Sequence, residues 1–520
     1  MEISILNDVL GPIMHGPSSS HTAASYNIGC LTKMVCKDKI KEVHITFDSK
    51  SSFGRVYKAQ NSDIAFLAGL VGLSVEASNF FKSLEIAKNQ GITYYFQTKN
   101  LPNADHPNYI LIEIYLYNGV FLTFVAKSIG GGMILIDRLN NWNVVINGQL
   151  HNLLIEFNSN FEGEMKKIIQ SRFESSRISD IQRNEQSSFI QIKDPHSFEK
   201  NFIDFLAKNV EITNIWITRP IVFPIHGTPI FTNTSEMLKI AKSKRFDLGE
   251  IGLEYESALL NLDKKIIIDE IKKRISVMFS SVEMGLISEN SSMNLLEHSA
   301  SKIQQEEING NLVNPGINIR SAYRALAVMD TASSGGLICA APTGGSCGVI
   351  ASVLYTLHFD FNLSLEKIVN CALGAGVIGL INAMNSTFAA EIAGCQVEIG
   401  IAAAMAAAAI VEAVNGNPKL STDAAAIALQ NTMGSVCDLV AGFCEIPCHT
   451  RNAVAASNAF VCADLIMGGY FNPINLDDCI QASYESGKML PSQLRCTSLG
   501  GLAITESAKK LEEQYQEKIS

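Results

Sequence analysis

The run GIAAAMAAAAIVEAV, Gly400–Val414, is the most apolar stretch of the chain, and it determines how the second half of the sequence is interpreted. Alanine is the strongest helix former and carries almost no side chain, so this run suits a helix that is packed tightly on all sides. It is too short to span a bilayer comfortably, and Glu412 interrupts it. We therefore predict a buried core helix and no membrane-embedded part.

The residues on both sides of this run, from about 230 to 520, are predicted to be mostly helical, with no convincing strand after about Ile230. The polar segment Gln304–Asn318 has two glycines and a proline and is expected to be a loop. Helical patterns are predicted at Glu236–Lys242, Glu250–Leu260, Lys265–Met284, Ser321–Met329, Ser364–Ile378, Ile399–Val414, Thr422–Met433 and Ala453–Ile466.

Two smaller segments precede the helical part. Residues 1–150 mix strand-like runs such as Val43–Phe47 and Ile110–Tyr117 with helical stretches such as Ser62–Leu73, which predicts an α+β domain. Residues 151–229 follow the order strand, helix, strand, strand, helix, strand. That order resembles an ACT module, a class that often binds small amino-acid effectors, although a plain spacer domain is an open alternative. We predict a multidomain chain: an α+β domain at 1–150, a small ACT-like α+β domain at 151–229 and a mostly α-helical catalytic domain at 230–520.

Composition and net charge indicate which kinds of partner the chain can bind. The chain has 520 residues, 47% of them hydrophobic and 18% charged, which is typical of globular proteins. The net charge of -10 leaves no basic footprint for nucleic acid or an acidic membrane surface. The first ten residues carry Glu2 and Asp8 where a secretory leader would be positive, so we expect a cytoplasmic protein.

Ten of the twelve cysteines lie after residue 338, in a long chain with no sign of an extracellular disulfide framework. This clustering indicates metal or cluster ligation, although free buried thiols remain the alternative. On spacing alone several ligand sets stay open: Cys395 with Cys437 and Cys448, Cys444 with Cys448, or Cys339 with Cys347.

The motif GPSSSHTA, Gly16–Ala23, places a turn before a dense run of hydroxyls and one imidazole. Such a run can bind a carboxylate or an amine and can place a proton acceptor beside it. The alternative is a helix N-cap, in which the serines satisfy the free N–H groups ahead of Ala23–Gly29.

Two glycine-rich stretches lie in the helical part. In APTGGSCG, Ala341–Gly348, the loop Thr343–Ser346 could cradle an anionic group ahead of a helix. It lacks the lysine of a phosphate-binding P-loop, so nucleotide phosphate is not expected, and a simple turn is the alternative. TSLGGLA, Thr497–Ala503, again pairs a hydroxyl with glycines and means little alone.

Together these motifs resemble the iron–sulfur-dependent L-serine dehydratases, also called L-serine ammonia-lyases. The resemblance covers roughly residues 2–150 and 230–507, in order and in one chain. The motifs similar to that family's β part are GPSSSHTA, DHPN at Asp105–Asn108 and SIGGG at Ser128–Gly132. Those similar to its α part are APTGGSCGVI, AGCQVEIG at Ala393–Gly400, SVCDLV, EIPCHTRNA at Glu445–Ala453 and TSLGGLA.

The resemblance implies a 4Fe-4S cluster held by Cys395, Cys437 and Cys448, with one iron left open. It also implies conversion of L-serine to pyruvate and ammonia without pyridoxal phosphate: substrate binds the open iron, a base takes the α-proton, and hydroxide leaves. We expect His21, Ser19 and Ser20 to be catalytic. The expected substrate-binding residues are Ser18, Ser19, Ser20, His21, Thr22, Lys58, Gln60, Asp63, Thr343, Gly344 and Gly345.

The chain departs from the family pattern near this site. Where the family usually carries lysine-glycine-histidine-glycine-threonine-aspartate, this sequence has KAQNSD, Lys58–Asp63, and Gln60 stands where the histidine is expected. Glutamine cannot accept and pass on a proton. The altered loop GGSCG and the GCQVE run are further changes. They leave two alternatives open: the same β-elimination on another β-substituted amino acid, or a cluster-bearing sensor without catalysis. We also expect a homo-oligomer.

Overall fold

The computed structural model describes residues 2–287 and 293–519. The three largest hydrophobic cores divide them into a sheet part, a small middle part and a large helical part. In chain order the strands are β1 (Ile13–His15), β2 (Ile40–Asp48), β3 (Thr93–Lys99), β4 (Tyr109–Leu116), β5 (Phe121–Gly130), β6 (Met133–Leu139), β7 (Trp142–Ile146), β8 (His151–Asn158), β9 (Gln182–Arg183), β10 (Ser187–Asp194), β11 (Ile212–Thr218) and β12 (Leu337–Cys339).

The α-helices lie between these strands and after the last of them. In chain order they are α1 (Ala24–Val35), α2 (Ser52–Val56), α3 (Ser62–Val71), α4 (Ser83–Asn89), α5 (Glu162–Gln170), α6 (Lys200–Ala207), α7 (Thr234–Lys244), α8 (Leu248–Leu260), α9 (Lys264–Ile287), α10 (Ala300–Ile308), α11 (Ile317–Ser333), α12 (Cys347–Phe359), α13 (Leu365–Asn385), α14 (Ala390–Ala393), α15 (Ile399–Ala413), α16 (Pro418–Gln430), α17 (Cys448–Met467), α18 (Leu476–Lys488) and α19 (Glu506–Ile519).

The first sheet has six strands in the order β3-β2-β4-β5-β6-β7. β2 and β3 are parallel and the other neighbours are antiparallel. Side chains such as Ile112, Phe124 and Ile136 are buried beneath α1 and α3, as expected for a sheet with one covered face. The N-terminal region is therefore mixed α+β, as predicted.

The middle part is a four-stranded antiparallel sheet in the order β11-β8-β10-β9, with α5 and α6 as its helices. Met165 and Ile169 of α5 and Phe202 and Leu206 of α6 form its core with the strands. Along the chain the elements follow the predicted order of strand, helix, strand, strand, helix, strand. Trp142 stacks on Phe189 and joins this part to the first sheet.

Helix α15 lies at the centre of the helical part, and every residue from Ile399 to Ala413 is buried. Its alanines let α12, α13, α16 and α17 approach closely. Two helical stretches, 365–385 and 395–413, are long and apolar enough to span a membrane by length and composition. Their apolar windows are 78% and 94% buried inside the protein, which is the pattern of core helices.

Two predictions for the helical part were wrong. A strand does follow Ile230, because β12 pairs with β1 in a short antiparallel ladder that begins at Ile13 opposite Cys339. This pairing joins residues far apart in the chain, so no local pattern indicates it. The segment Gln304–Asn318 is not all loop: α10 runs to Ile308 and α11 begins at Ile317. Glutamine and glutamate are good helix formers, and this preference produced a helix where the polar pattern had predicted a loop.

The first residues of the chain pack with the helical part rather than with the first sheet. Ile5 and Val9 are buried in the helical core, and Glu256 of α8 accepts hydrogen bonds from the N–H groups of Ile5 (2.8 Å) and Leu6 (2.9 Å). The residues before α1, 2–23, are here called the leading segment. They pack with the helical part although they lie within the predicted domain 1–150. The GPSSSHTA motif is in this segment and therefore lies against the helical part.

Candidate functional site

A small buried cavity, here called the inner cavity, with a volume of about 20 Å³ lies where the leading segment meets the helical part. Its walls combine thiols, carboxylates and amides with a few apolar side chains. The polar and small lining residues are Ser18, Gln60, Gly345, Glu391, Cys395, Glu398, Cys437, Cys444, Cys448 and Cys496. All of these cysteines are free thiols.

Cys395 begins a short turn directly after α14. The preceding Gly394 has a φ of +75°, and a Cβ there would lie 2.7 Å from the carbonyl oxygen of Ser435. Only glycine permits this close approach. The local sequence Gly-Cys thus brings Cys395 against the loop that carries Cys437.

Cys437 is held by backbone pairing with the segment before TSLGGLA. Its N–H donates to the carbonyl of Leu494 (2.8 Å), and its own carbonyl accepts from the N–H of Cys496 (2.9 Å). Cys496 has a φ of +59°, a left-handed conformation that is rare outside glycine and concentrates at functional sites. The Cys437 thiol contacts those of Cys395 and Cys496, and these contacts, with burial, raise its pKa well above the usual range.

Cys448 is the first residue of α17, where the helix dipole favours a thiolate. One turn later, Asn452 donates from Nδ2 to the carbonyl of Gly345 (2.8 Å) and accepts at Oδ1 from the N–H of Gly348 (3.1 Å). These bonds fix the predicted glycine loop to the helix that carries Cys448. The same asparagine therefore positions a thiol and a cavity wall together.

Arg451 supplies the positive charge beside the thiols. Its Nη1 lies 3.7 Å from Cys395 Sγ and donates to the carbonyl of Val436 (2.6 Å), while Nη2 pairs with Asp438 (2.9 Å). A guanidinium this close stabilises a thiolate over a thiol. Sequence reasoning assigned it no role, although a charged residue three positions after Cys448 in a largely apolar helix was an available signal.

Two buried carboxyl groups at the cavity were also missed by sequence reasoning. One oxygen of Glu398 and the sulfurs of Cys395 and Cys437 all lie within 4.8 Å of one another. Burial, followed by the nearby Cys395 and Glu391, raises the pKa of Glu398 well above its usual range. Burial likewise raises the pKa of Glu391. Glu398 lies within AGCQVEIG, and Glu391 lies two residues before that motif.

Ser18 lines the cavity and also caps the helical turn Ser19–Ala23. Its Oγ accepts from the N–H of His21 (3.3 Å) and lies 3.1 Å from His21 Nδ1. The N-cap alternative for this motif is therefore compatible with a cavity role. His21 is fully buried and stacks on Phe53, and burial lowers its pKa to about 3, so the imidazole is neutral.

The other members of the motif lie behind the cavity wall. Ser19 Oγ accepts from the N–H of Gly344 (3.1 Å), and Thr22 Oγ1 donates to the carbonyl of Gln60 (2.8 Å). Ser20 lies beside Glu391. These residues hold the wall together, and Ser18 is the member that faces the cavity.

Gln60 reaches the cavity from the KAQNSD stretch. Its Nε2 donates to the carbonyl of Gly442 (3.2 Å), while Oε1 is buried with no hydrogen-bond partner among residues 2–287 and 293–519. A buried amide oxygen without a partner is costly. This oxygen is thus available to a ligand that can donate a hydrogen bond.

Of the remaining predicted residues, Lys58 lines a different cavity. This second, open cavity of about 520 Å³, here called the vestibule, is lined by Lys58, Arg55, Ser333, Tyr515 and Cys444 among others. Cys444 lines both cavities, so it lies between the vestibule and the inner cavity.

Of the glycine loop, Gly345 lines the inner cavity. Thr343 caps the turn by accepting from the N–H of Ser346 (3.2 Å). Asp63 lines neither cavity; its carboxyl accepts from the N–H of Ile64 at the start of α3.

The alternative pair Cys339 and Cys347 lies elsewhere in the helical core. Cys347 packs against the sulfur of Met329, and neither thiol lines the inner cavity. The convergent set is a group of soft sulfur donors from three distant segments, with no bridging disulfide and one adjacent cation. Such donors suit an iron–sulfur cluster or zinc.

Comparison with known proteins gives a consistent family. A family described as serine dehydratase alpha chain matches residues 174–503, starting inside the middle part. The chain is 35% identical over 285 residues to the probable L-serine dehydratase alpha chain of Bacillus subtilis (strain 168), covering 55% of this chain and 95% of that protein. It is 30% identical over 281 residues to the L-serine dehydratase alpha chain of Peptoniphilus asaccharolyticus (54% and 96%), and 33% identical over 281 residues to the L-serine dehydratase of Haemophilus influenzae (53% and 61%).

Proposed function

Because this chain belongs to the serine dehydratase alpha-chain family, we propose that it is an iron–sulfur-dependent lyase that dehydrates and deaminates L-serine to pyruvate and ammonia. One observation carries the proposal. Cys395, Cys437 and Cys448, which the motif resemblance selects among twelve cysteines, line one buried cavity, although Cys395 lies 42 positions before Cys437.

In this proposal the three thiolates hold a 4Fe-4S cluster, and the donor set fits it. The sulfurs are buried, unbridged and close to Arg451, which offsets part of the negative charge that thiolate ligation concentrates there. When bound, such a cluster supplies a Lewis-acidic iron at the corner without a protein ligand, where a hydroxyl becomes a better leaving group. Pyridoxal phosphate has no part in the proposal.

The chain's own residues bind and orient the substrate. Ser18 Oγ and Gln60 Oε1 offer hydrogen-bonding groups on one side of the cavity, and Gly345 leaves room on another. Ile399 and Leu439 complete the wall and exclude water, which strengthens every charged interaction inside. Dehydration then gives an enamine, which tautomerises and hydrolyses to the keto acid and ammonia.

We assign the α-proton to a relay that begins at Ser18 and ends at His21. The neutral imidazole has Nδ1 3.1 Å from Ser18 Oγ and 3.6 Å from Glu391 Oε1, while Nε2 has no partner among the described residues. A neutral imidazole can accept a proton, and an ionised Glu391 would stabilise the charged form against the burial that lowers the pKa of His21 and raises that of Glu391. Glu391 is then the positioning residue for this base.

A second candidate function is β-elimination on a different β-substituted amino acid. The unpartnered Oε1 of Gln60 favours it, because this amide stands where the resembled family carries a histidine. An amide oxygen selects for a donor on the substrate and cannot shuttle a proton. Loss of catalysis, leaving a cluster-bearing sensor, is the further outcome that an assay can exclude.

Anaerobic reconstitution tests the proposal. Iron and sulfide would be measured on the purified full chain, followed by keto-acid release from serine, threonine, cysteine and other β-substituted amino acids. Pyruvate from serine supports the first function, and keto acid only from another compound supports the second. The matched variant Gln60→His should raise serine turnover if the amide sets specificity. A protein that binds no iron would overturn the proposal.

The middle part is proposed as an ACT-like module that binds a small-molecule effector. The antiparallel order β11-β8-β10-β9 with two helices supports it, because that arrangement is ferredoxin-like. Calorimetric titration of the full chain with single amino acids would test for an effector. A homo-oligomeric state and a cytoplasmic location also stay proposals, to be tested by sedimentation and by fractionation of cells.

A further inference from the structure

The inner cavity holds two thiols more than the proposed cluster ligands require, Cys444 and Cys496. They differ in position. Cys496 is held at the back of the site, where its N–H donates to the carbonyl of Cys437 (2.9 Å) and its carbonyl accepts from Ser52 Oγ (2.6 Å). Cys444 lines both the inner cavity and the vestibule, so it lies between the two cavities.

The Cys444 sulfur points toward the expected substrate loop. A Cβ built on Gly345 would lie 3.9 Å from Cys444 Sγ and 3.8 Å from Glu398 Oε1, so the thiol and the carboxylate face the same glycine. Cys444 also contacts the thiol of Cys448, the ligand that begins α17. The sulfur is therefore beside one proposed ligand and in the space that substrate would occupy.

The loop that carries Cys444 contains residues with left-handed backbone conformations and packs against α19. Ala441 has a φ of +49° and Gly442 a φ of +79°, so two consecutive residues are left-handed. The next residue, Phe443, packs edge-on against Tyr515 of α19, with ring centroids 4.9 Å apart. An alanine in this left-handed conformation is strained, and the strain persists only when surrounding contacts hold it. The loop is thus held in a position that aims Cys444 inward.

We propose that Cys444 is a fourth thiolate ligand of the cluster and closes the corner that faces the vestibule. The inference rests on the proposed function, since it assumes the cluster. To hold iron the Cys444 thiol would lose its proton to solvent, and it would take a proton up from solvent when substrate displaced it. Substrate would reach that corner from the vestibule, whose lining carries Lys58 and Arg55 as well as Glu445 and Glu512.

The test measures how well the cluster keeps its fourth iron. The full chain would be reconstituted anaerobically and then exposed to limited oxidant, with iron content and the paramagnetic three-iron signal followed over time. A four-iron cluster with an unprotected corner loses one iron on oxidation, and a thiolate at that corner slows the loss. We expect Cys444→Ser and Cys444→Ala to lose one iron per cluster several-fold faster than the unmodified chain.

Matched variants separate the possible outcomes. Cys496→Ser leaves the Cys444 thiol in place, so it should lose iron at the rate of the unmodified chain. Cys462→Ser, which changes a buried thiol of α17 outside the cavity, should also lose iron at that rate. Equal rates of iron loss for Cys444→Ser and the unmodified chain would overturn the inference while leaving the cluster in place. Faster loss in Cys496→Ser alone would also overturn it, because the back thiol would be the ligand. Absence of a cluster from every protein would instead overturn the proposed function, and this inference with it.

Discussion

The backbone N–H of Gly344 donates a hydrogen bond to Ser19 Oγ over 3.1 Å and joins two residues that are 325 positions apart in the chain. This bond unites the two motifs that sequence analysis treated separately, GPSSSHTA and APTGGSCG. Because Ser18 and Gly345 are their direct neighbours, the same contact aligns two walls of the inner cavity. The site is thus assembled at an interface between distant segments.

This interface leaves no room for a side chain at Gly344. A Cβ there would lie 2.8 Å from the backbone N of Ser19 and 3.0 Å from the carbonyl oxygen of Pro17, and neither backbone atom can rotate away. We expect Gly344→Ala to separate the walls and lower kcat/KM by about tenfold or more, the effect of roughly 1.4 kcal/mol. Steady-state kinetics would measure it. Gly163→Ala, with open space around the new Cβ, is the control, and an equal loss there would contradict the interpretation.

Removing a proposed ligand should abolish the cluster rather than the fold. Cys437→Ser replaces a central thiol, one that contacts both Cys395 and Cys496, by a harder and poorer iron donor. We expect iron content after reconstitution to fall to near background while far-UV circular dichroism stays unchanged. Cys30→Ser, in α1 and outside the cavity, should load normally. Full iron loading of Cys437→Ser would remove this residue from the ligand set.

Arg451 should govern how firmly the cluster is retained. Its guanidinium reaches Cys395 Sγ (3.7 Å) and Asp438 (2.9 Å) together, a fork that lysine cannot reproduce. We expect iron loss during anaerobic dialysis to follow the order Arg451→Met fastest, then Arg451→Lys, then the unmodified chain. The visible absorbance of the dialysed protein measures it. If Arg451→Met retained iron as well as the unmodified chain, the charge would have no role in holding the cluster.

Asp8 makes the stability of the leading segment depend on pH. Burial, with the nearby Glu256, raises its pKa from 3.8 to about 7, and among the described residues it forms no ion pair. An acid whose pKa is raised on folding binds its proton more tightly in the folded state, so stability falls as pH rises from about 4 to about 7. Above pH 7 the full penalty applies, at most about 4 kcal/mol for this shift.

The variant Asp8→Asn removes this titration and keeps an oxygen that can accept from the N–H of Ser4 (2.9 Å). We expect its unfolding free energy to vary less between pH 5 and pH 8 than that of the unmodified chain, and to be higher at pH 8. Urea unfolding at several pH values would show this. Asp38→Asn changes an exposed carboxyl and should leave the pH dependence as it is. A variant Asp8→Asn with the original pH slope would contradict the assignment.

Local sequence was sufficient for the parts of the fold that local preference controls. The alanine run predicted α15, and strand-like runs predicted β2 and β4, because periodic burial determines which residues form a helix or a strand. The β12 strand was not predictable, since three residues of strand form only when Ile13–His15 pairs with them across the chain. The helix α10 was missed because its polar sequence lacks a clear apolar stripe.

The chemistry of the site divides in the same way. The sequence by itself determined which residue types were available: a thiol-rich second half, a hydroxyl-rich motif and a glutamine at position 60 in place of the expected histidine. Only the tertiary structure decided that Cys444, Cys496, Glu391, Glu398 and Arg451 share the cavity with the expected thiols, and that Lys58 lies outside it. The reason is physical: a buried site is defined by distances in space, and packing brings together residues whose separation along the chain carries no local signal.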